Sequence, residues 1–220
     1  MPIDLDLQAL VDSTPEGHEL TIDPGDYKVL SAVELSKSVA IRGAGCGVGI
    51  HNGVTLRFPP GPFGIDIGPM APGSRIENVT IDRWLGTPSE PAVGPDVGIH
   101  LRATNTQINN VEVRYANQDG FYLDGTGGNN CNISTLNRCR VSSCGRHGLY
   151  AQGGDANQCL IIALDAFNNE GYGIFDSSFL GNHYLGCHTA SNQLGGTLCD
   201  GTAQYGTLFG CYSEVLSIGC

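Results

Sequence analysis

Apolar and polar positions alternate along this chain behind a recurring glycine. The pattern reads Gly64-Ile65-Asp66-Ile67, Gly98-Ile99-His100-Leu101, Gly120-Phe121-Tyr122-Leu123, Gly148-Leu149-Tyr150-Ala151 and Gly173-Ile174-Phe175-Asp176, at intervals of 34, 22, 28 and 25 residues. Period-two alternation is the mark of a strand with one face buried. Self-similarity at roughly 20 to 50 residues is the mark of a solenoid, in which each short repeat buries its apolar face only by lying on its neighbours. Stacking the repeats sends Ile65, Ile99, Phe121, Leu149 and Ile174 inward. It sends Asp66, His100, Tyr122, Tyr150 and Phe175 outward in one column, with Gly68, Arg102, Asp124, Gln152 and Ser177 in the next.

A second strand-like series runs through IENVTID (76–82), INNVEVR (108–114), RCRVS, GCHTA and GCYSE, and its alignment puts Val79, Val111, Cys139, Cys187 and Cys211 in one column. The repeat therefore reads as two strands per coil. Asparagine-rich turns at Asn117, Asn168-Asn169 and Asn192 separate them, because asparagine tolerates left-handed backbone and bonds to its copy in the next coil. Residues 4–12 carry the helical spacing Ile3, Leu7, Leu10 and Val11, with Asp4 and Asp6 suited to a helix N-terminus. This segment is expected to cap the first coil. The proline- and glycine-rich residues 84–97 read as a protruding loop that explains the one long interval. GAGCGVG (43–49) lacks the glycine spacing of a dinucleotide loop and is followed by a strand, so it reads as a turn.

Composition agrees with an all-β chain of frequent corners: 32 of 220 residues are glycine and only 15% are charged. The formal charge of −11 argues against nucleic acid as a partner. It would also repel anionic glycans unless local arginines or a divalent cation intervened. No apolar stretch approaches a membrane span, and no secretory signal is visible at the N-terminus. Nine cysteines, an odd number lying largely in strand-like stretches, read as small buried hydrophobes; Cys131 and Cys159 are the first pair to test for a bridge. No C-x-x-C spacing occurs, so a zinc knuckle is not expected.

The outward columns mix aromatic rings with acid, amide and cationic groups, the surface a saccharide asks for. His100, Arg102, Tyr122, Tyr150 and Gln152 are the candidate binding residues; the alternative is a packing ladder beneath a loop or partner. Asp119, His147 and Tyr172 form a third column at the edge of that surface. Asp119 and His147 on adjacent coils are a candidate acid–base pair, with the aspartate raising the histidine's pKa. Asp124 supplies a second carboxylate, as glycoside hydrolysis would need. The ordinary reading is that Asp-Gly and His-Gly are turn sequences. His183 and His188 fall on opposite parities of one stretch, so at most one faces out, and Asp176 in the inward column reads as the end of its strand.

PGDYKVL, SVAIRGAG and the glycine-led rungs with asparagine turns resemble the pectate-lyase-like superfamily of right-handed parallel β-helices, which includes polysaccharide lyases, hydrolases, epimerases and phage tailspikes. The resemblance covers nearly the whole chain and implies a single β-helix domain over residues 1–220. It does not bring the family's catalytic motifs. The calcium-binding aspartates and arginine-proline-x-x-arginine of the lyases are not found, and Arg146-His147-Gly148 only echoes the Gly-His-Gly of the polygalacturonases. Two readings stand. One is a non-catalytic carbohydrate-engaging module, as in a tailspike or extracellular adhesin. The other is a polysaccharide-processing enzyme using Asp119, Asp124 and His147 in the same groove. Neither calls for a cofactor or metal. The expected setting is extracellular or virion-associated. The apolar ending GTLFGCYSEVLSIGC (206–220) suggests a homo-oligomer or a stacking partner at the last coil.

Overall fold

The computed structural model describes residues 2–44, 53–84, 93–200 and 206–214. Among these residues, strands stack into three sheets of nine, eight and seven strands, and neighbouring strands within each sheet run parallel. The chain is a β-solenoid. Each full coil passes through the second sheet (for example Gln107–Asn109), the first (Glu112–Arg114) and the third (Phe121–Gly125). Isoleucine, leucine, valine and phenylalanine from all three sheets fill one continuous core along the axis.

The coil has three strands where the sequence pattern suggests two. IENVTID is not one strand: Arg75–Glu77 belongs to the second sheet and Val79–Arg83 to the first, with Asn78 between them at φ 57°. The same single-residue corner recurs at Asn110, Arg138 and Ala163, with φ of 52°, 54° and 51°. One left-handed residue turns the chain and resets the inward–outward parity, and Arg138 or Ala163 carries no turn signature. The Val/Cys column follows this corner: Val79, Val111, Cys139 and Cys187 are buried there, Leu164 completes the column, and Cys211 is half-buried. The reset parity also lets both His183 and His188 face outward, from different sheets on either side of Gly186.

Asparagines tie the coils together. Asn110 Nδ2 donates to Asn78 Oδ1 at 2.8 Å, and Asn169 Nδ2 to Asn192 Oδ1 at 2.8 Å. The recurring glycine is set by steric contact. A Cβ on Gly98, Gly120 or Gly148 would lie 2.7, 2.8 and 2.6 Å from the carbonyl oxygen of its equivalent in the next coil. Asp176 does not end its strand, which runs Tyr172–Ser178. It lies inside the core with no exposure, accepting from Ser178 N at 3.0 Å, Ser178 Oγ at 2.6 Å, Asn182 Nδ2 at 3.1 Å and the Tyr184 hydroxyl at 2.8 Å.

The N-terminal helix spans Leu7–Ser13 rather than 4–12. Ile3–Leu5 instead adds a strand beside Tyr27–Val29, and Asp6 caps the helix by accepting from Ala9 N at 3.0 Å. Leu7 and Val11 enter the core, whereas Ile3 is exposed. Of the expected loop at 84–97, Trp84 and Val93 form an antiparallel bridge and Pro95–Val97 open the next strand. Residues 85–92, most of GAGCGVG and residues 215–220 lie outside the described residues. The seven described cysteines are free, Cys131 and Cys159 among them; Cys159 Sγ donates to the Cys131 carbonyl at 3.1 Å.

Candidate functional site on the third sheet

Strand pairing fixes the outward column of the third sheet. Glu34, Asp66, His100, Tyr122, Tyr150 and Phe175 are successive partners, and beside them Asp124 pairs with Gln152 and Gln152 with Ser177. The rings stack along the axis. Centroids lie 5.0 Å apart from His100 to Tyr122, 5.2 Å from Tyr122 to Tyr150 and 5.3 Å from Tyr150 to Phe175, with planes within 10° of parallel. Phe63 extends the row beyond His100, and an open depression of about 300 Å³ begins there, lined by Gln8, Ala32, Glu34, Ser36 and Phe63. The rings cover one another's faces, so they present edges to solvent. The Tyr122 hydroxyl donates to Gln152 Oε1 at 2.9 Å. Burial and nearby Asp124 push that phenol well above its ordinary pKa, so it remains a donor.

At one end of the row a charge cluster replaces apolar packing. Asp66 is fully buried; its carboxylate receives the Arg102 fork through both oxygens and His100 Nδ1 at 2.9 Å. His100 Nε2 reaches Asp124 Oδ2 at 3.2 Å, so the imidazole bridges two carboxylates. Burial raises the pKa of Asp66, but His100 and Arg102 more than offset it and hold the group below the carboxylate range. For Asp124 burial is likewise outweighed, by His100 and Thr126, and the carboxyl falls to about 2. Thr126 N and Oγ1 and Asn129 Nδ2 also donate to it, at 2.9, 2.6 and 2.9 Å. Burial disfavours charge on His100, yet its bonds to Asp124 and Asp66 raise its pKa. With His100 protonated, two cations match two carboxylates.

Asp119 and His147 are neighbours, but not as an acid–base pair. The buried Asp119 carboxylate takes the Arg146 fork through both oxygens and the backbone N–H of His147 at 3.1 Å. The His147 ring turns the other way, and its Nδ1 accepts from Tyr172 N at 3.0 Å. Burial lowers the His147 pKa; Asp119 opposes and Arg146 reinforces that shift. The neutral ring so held carries its proton on Nε2 and acts as a donor. Arg146 also lies over the Tyr150 ring, 4.9 Å from its centroid, a role that sequence reasoning did not assign. The available signal was an opposite charge one coil away from Asp119.

A parallel β-solenoid with a ring-and-charge flank is the class that fold and site define. No protein-family model matches the chain, and no curated protein matches it. Among solved structures, ORF18 of Geobacillus virus E2 superposes with a TM-score of 0.64 at 15% identity, over 94% of this chain and 48% of that one. The chain spans about half the length of that viral protein. The likeness is one of fold. Among the described residues no helix is long and apolar enough to cross a membrane, and no group of three or more His, Cys, Asp or Glu is placed to hold a metal ion.

Proposed function

We propose that this chain is a virion-associated β-solenoid module that engages a glycan along the outward face of the third sheet, the role a tailspike or adhesin body plays. The observation that carries the reading is the half-buried row His100–Tyr122–Tyr150–Phe175, flanked by Gln152, Asp124, Arg146 and His147. Apolar ring edges beside fixed donors and acceptors suit a saccharide, whose C–H and hydroxyl groups alternate along its length. Because the ring faces are occupied by one another, the contact offered is edge-on. A viral protein of similar fold supports the virion setting.

Binding is preferred to catalysis because each candidate catalytic group already has a partner that suppresses proton transfer. Asp119 is neutralised by Arg146, Asp124 is held ionised, and His147 has its acceptor nitrogen engaged. A general acid or base near neutral pH needs a pKa near the working pH and a free lone pair or proton aimed at substrate. A glycan array tests the reading, followed on each hit by assays for new reducing ends and for unsaturated ends. Retention of one oligosaccharide class without product is the expected result. Turnover would replace the binding reading with the enzymatic one, and no retained glycan would defeat both.

A further inference from the structure

We propose that the corner between the first and third sheets, at Arg83, Arg114 and Tyr115 with Lys28 and Trp84 beside it, is a second site that takes the carboxylate or sulfate group of an acidic saccharide. Four of the chain's eleven lysines and arginines, Lys28, Arg57, Arg83 and Arg114, gather on this face of a molecule with net charge −11. Register and ion pairs place them together: Lys28 pairs with Arg57 and Arg57 with Asp82, whose carboxylate meets Arg57 at 3.1 Å and Arg114 at 2.8 Å. The acids facing them are Asp82, Asp26 on Arg57 at 2.7 Å, and Asp4 opposite Lys28.

Arg83 differs from its neighbours Arg57 and Arg114, which both pair with Asp82. It makes no ion pair among the described residues, and its guanidinium lies 4.4 Å from the centroid of the Tyr115 ring. Among the described residues, the enclosed Nε atoms of Arg83 and Arg114 find no acceptor. A buried donor left unpaired is destabilising, so this corner gains from further acceptors. An oxyanion docking there would supply them at the solvent-facing ends of the half-buried Arg83 and Arg114, whose forks match carboxylate and sulfate geometry. Beside them Lys28 Nζ sits 4.6 Å from the Trp84 ring centroid, a cation on an aromatic shelf that suits the ring bearing such a group. A long polyanion such as nucleic acid would meet the acidic remainder of the surface, so a single charged group set among neutral sugar atoms is the better fit. The site is off the ring row and stands or falls independently of it.

Trp84 is the only tryptophan in the chain, so intrinsic fluorescence reports on this corner. It is titrated with an oligouronate, a sulfated oligosaccharide, a neutral maltooligosaccharide and inorganic sulfate. A saturable change with an acidic oligosaccharide, weakened by salt and about tenfold or more weaker in Arg83→Gln, is the expected result. Arg114→Lys, which keeps a charge beside Asp82 but loses the fork, should weaken it too, and Arg42→Gln, on the second sheet beside Glu19, should leave it unchanged. Melting curves establish that each variant is folded; if Arg83→Gln is not, Arg114→Lys and Lys28→Gln decide. No response, an equal response to the neutral sugar, or an equal response to inorganic sulfate at the same concentration would overturn the assignment.

Discussion

Protonation of His100 changes the charge balance of the outward face, where its ring bridges Asp66 and Asp124. Its folded pKa is raised, so its contribution to stability is fully present below the unfolded value of about 6.5 and is lost as pH rises through the folded pKa. Asp66 and Asp124 behave oppositely. Their folded values are depressed, so their contribution is present above about 4 and is lost as pH falls, toward about 2 for Asp124. Urea unfolding across pH should therefore show stability greatest between these limits. His100→Gln should remove the loss on the alkaline side; a variant that keeps the wild-type slope there would show that another group is responsible. NMR titration of the imidazole should give a midpoint above the ordinary histidine value. The pairing of His100 with Tyr122 was legible from alternation alone, whereas its bridge from Asp66 to Asp124 depends on side-chain reach that register does not specify.

Strands and corners carry the next level of the account. The rung glycines could be read from the sequence because each heads the same short strand pattern, and the structure supplies the cause: the next coil's carbonyl occupies the space a Cβ would need. Gly120→Ala should cost about 1–3 kcal/mol by overpacking, measured by urea unfolding; an unchanged midpoint would mean that the coils separate freely at that column. The third strand of each coil was not legible, because a three-residue strand ended by one left-handed Arg138 or Ala163 has neither the length nor the glycine or proline that signals a boundary. The cysteines are understood at this scale as well. Burial pushes the Cys139 and Cys144 thiols up to about 12. Thiol labelling of the native protein should spare Cys131, Cys139, Cys144, Cys159 and Cys187 until denaturant is added, while half-buried Cys199 and Cys211 react sooner. Prompt native labelling of the first five would contradict the packed core.

At the scale of the molecule, parallel stacking brings residues about a coil apart in sequence into one column, so a row of rings and a patch of cations are both consequences of register. The columns of the third sheet were readable because each rung begins at a glycine and alternates strictly for four residues. The partners that fix their chemistry, Arg146 on Asp119 and Tyr172 on His147, lie at strand ends and corners, where alternation no longer tells which way a side chain turns. If the ring row is a glycan-contact surface, calorimetric titration of wild type and Tyr150→Ala with an oligosaccharide retained on the array will separate the two proteins. Tyr150 is half-buried and stacked on two neighbours, so its loss should cost only about 1 kcal/mol of stability. Affinity should be weaker by about tenfold or more in a variant that stays folded. Unchanged affinity in a folded variant, or collapse of the fold on losing that one ring, would contradict a glycan-contact role.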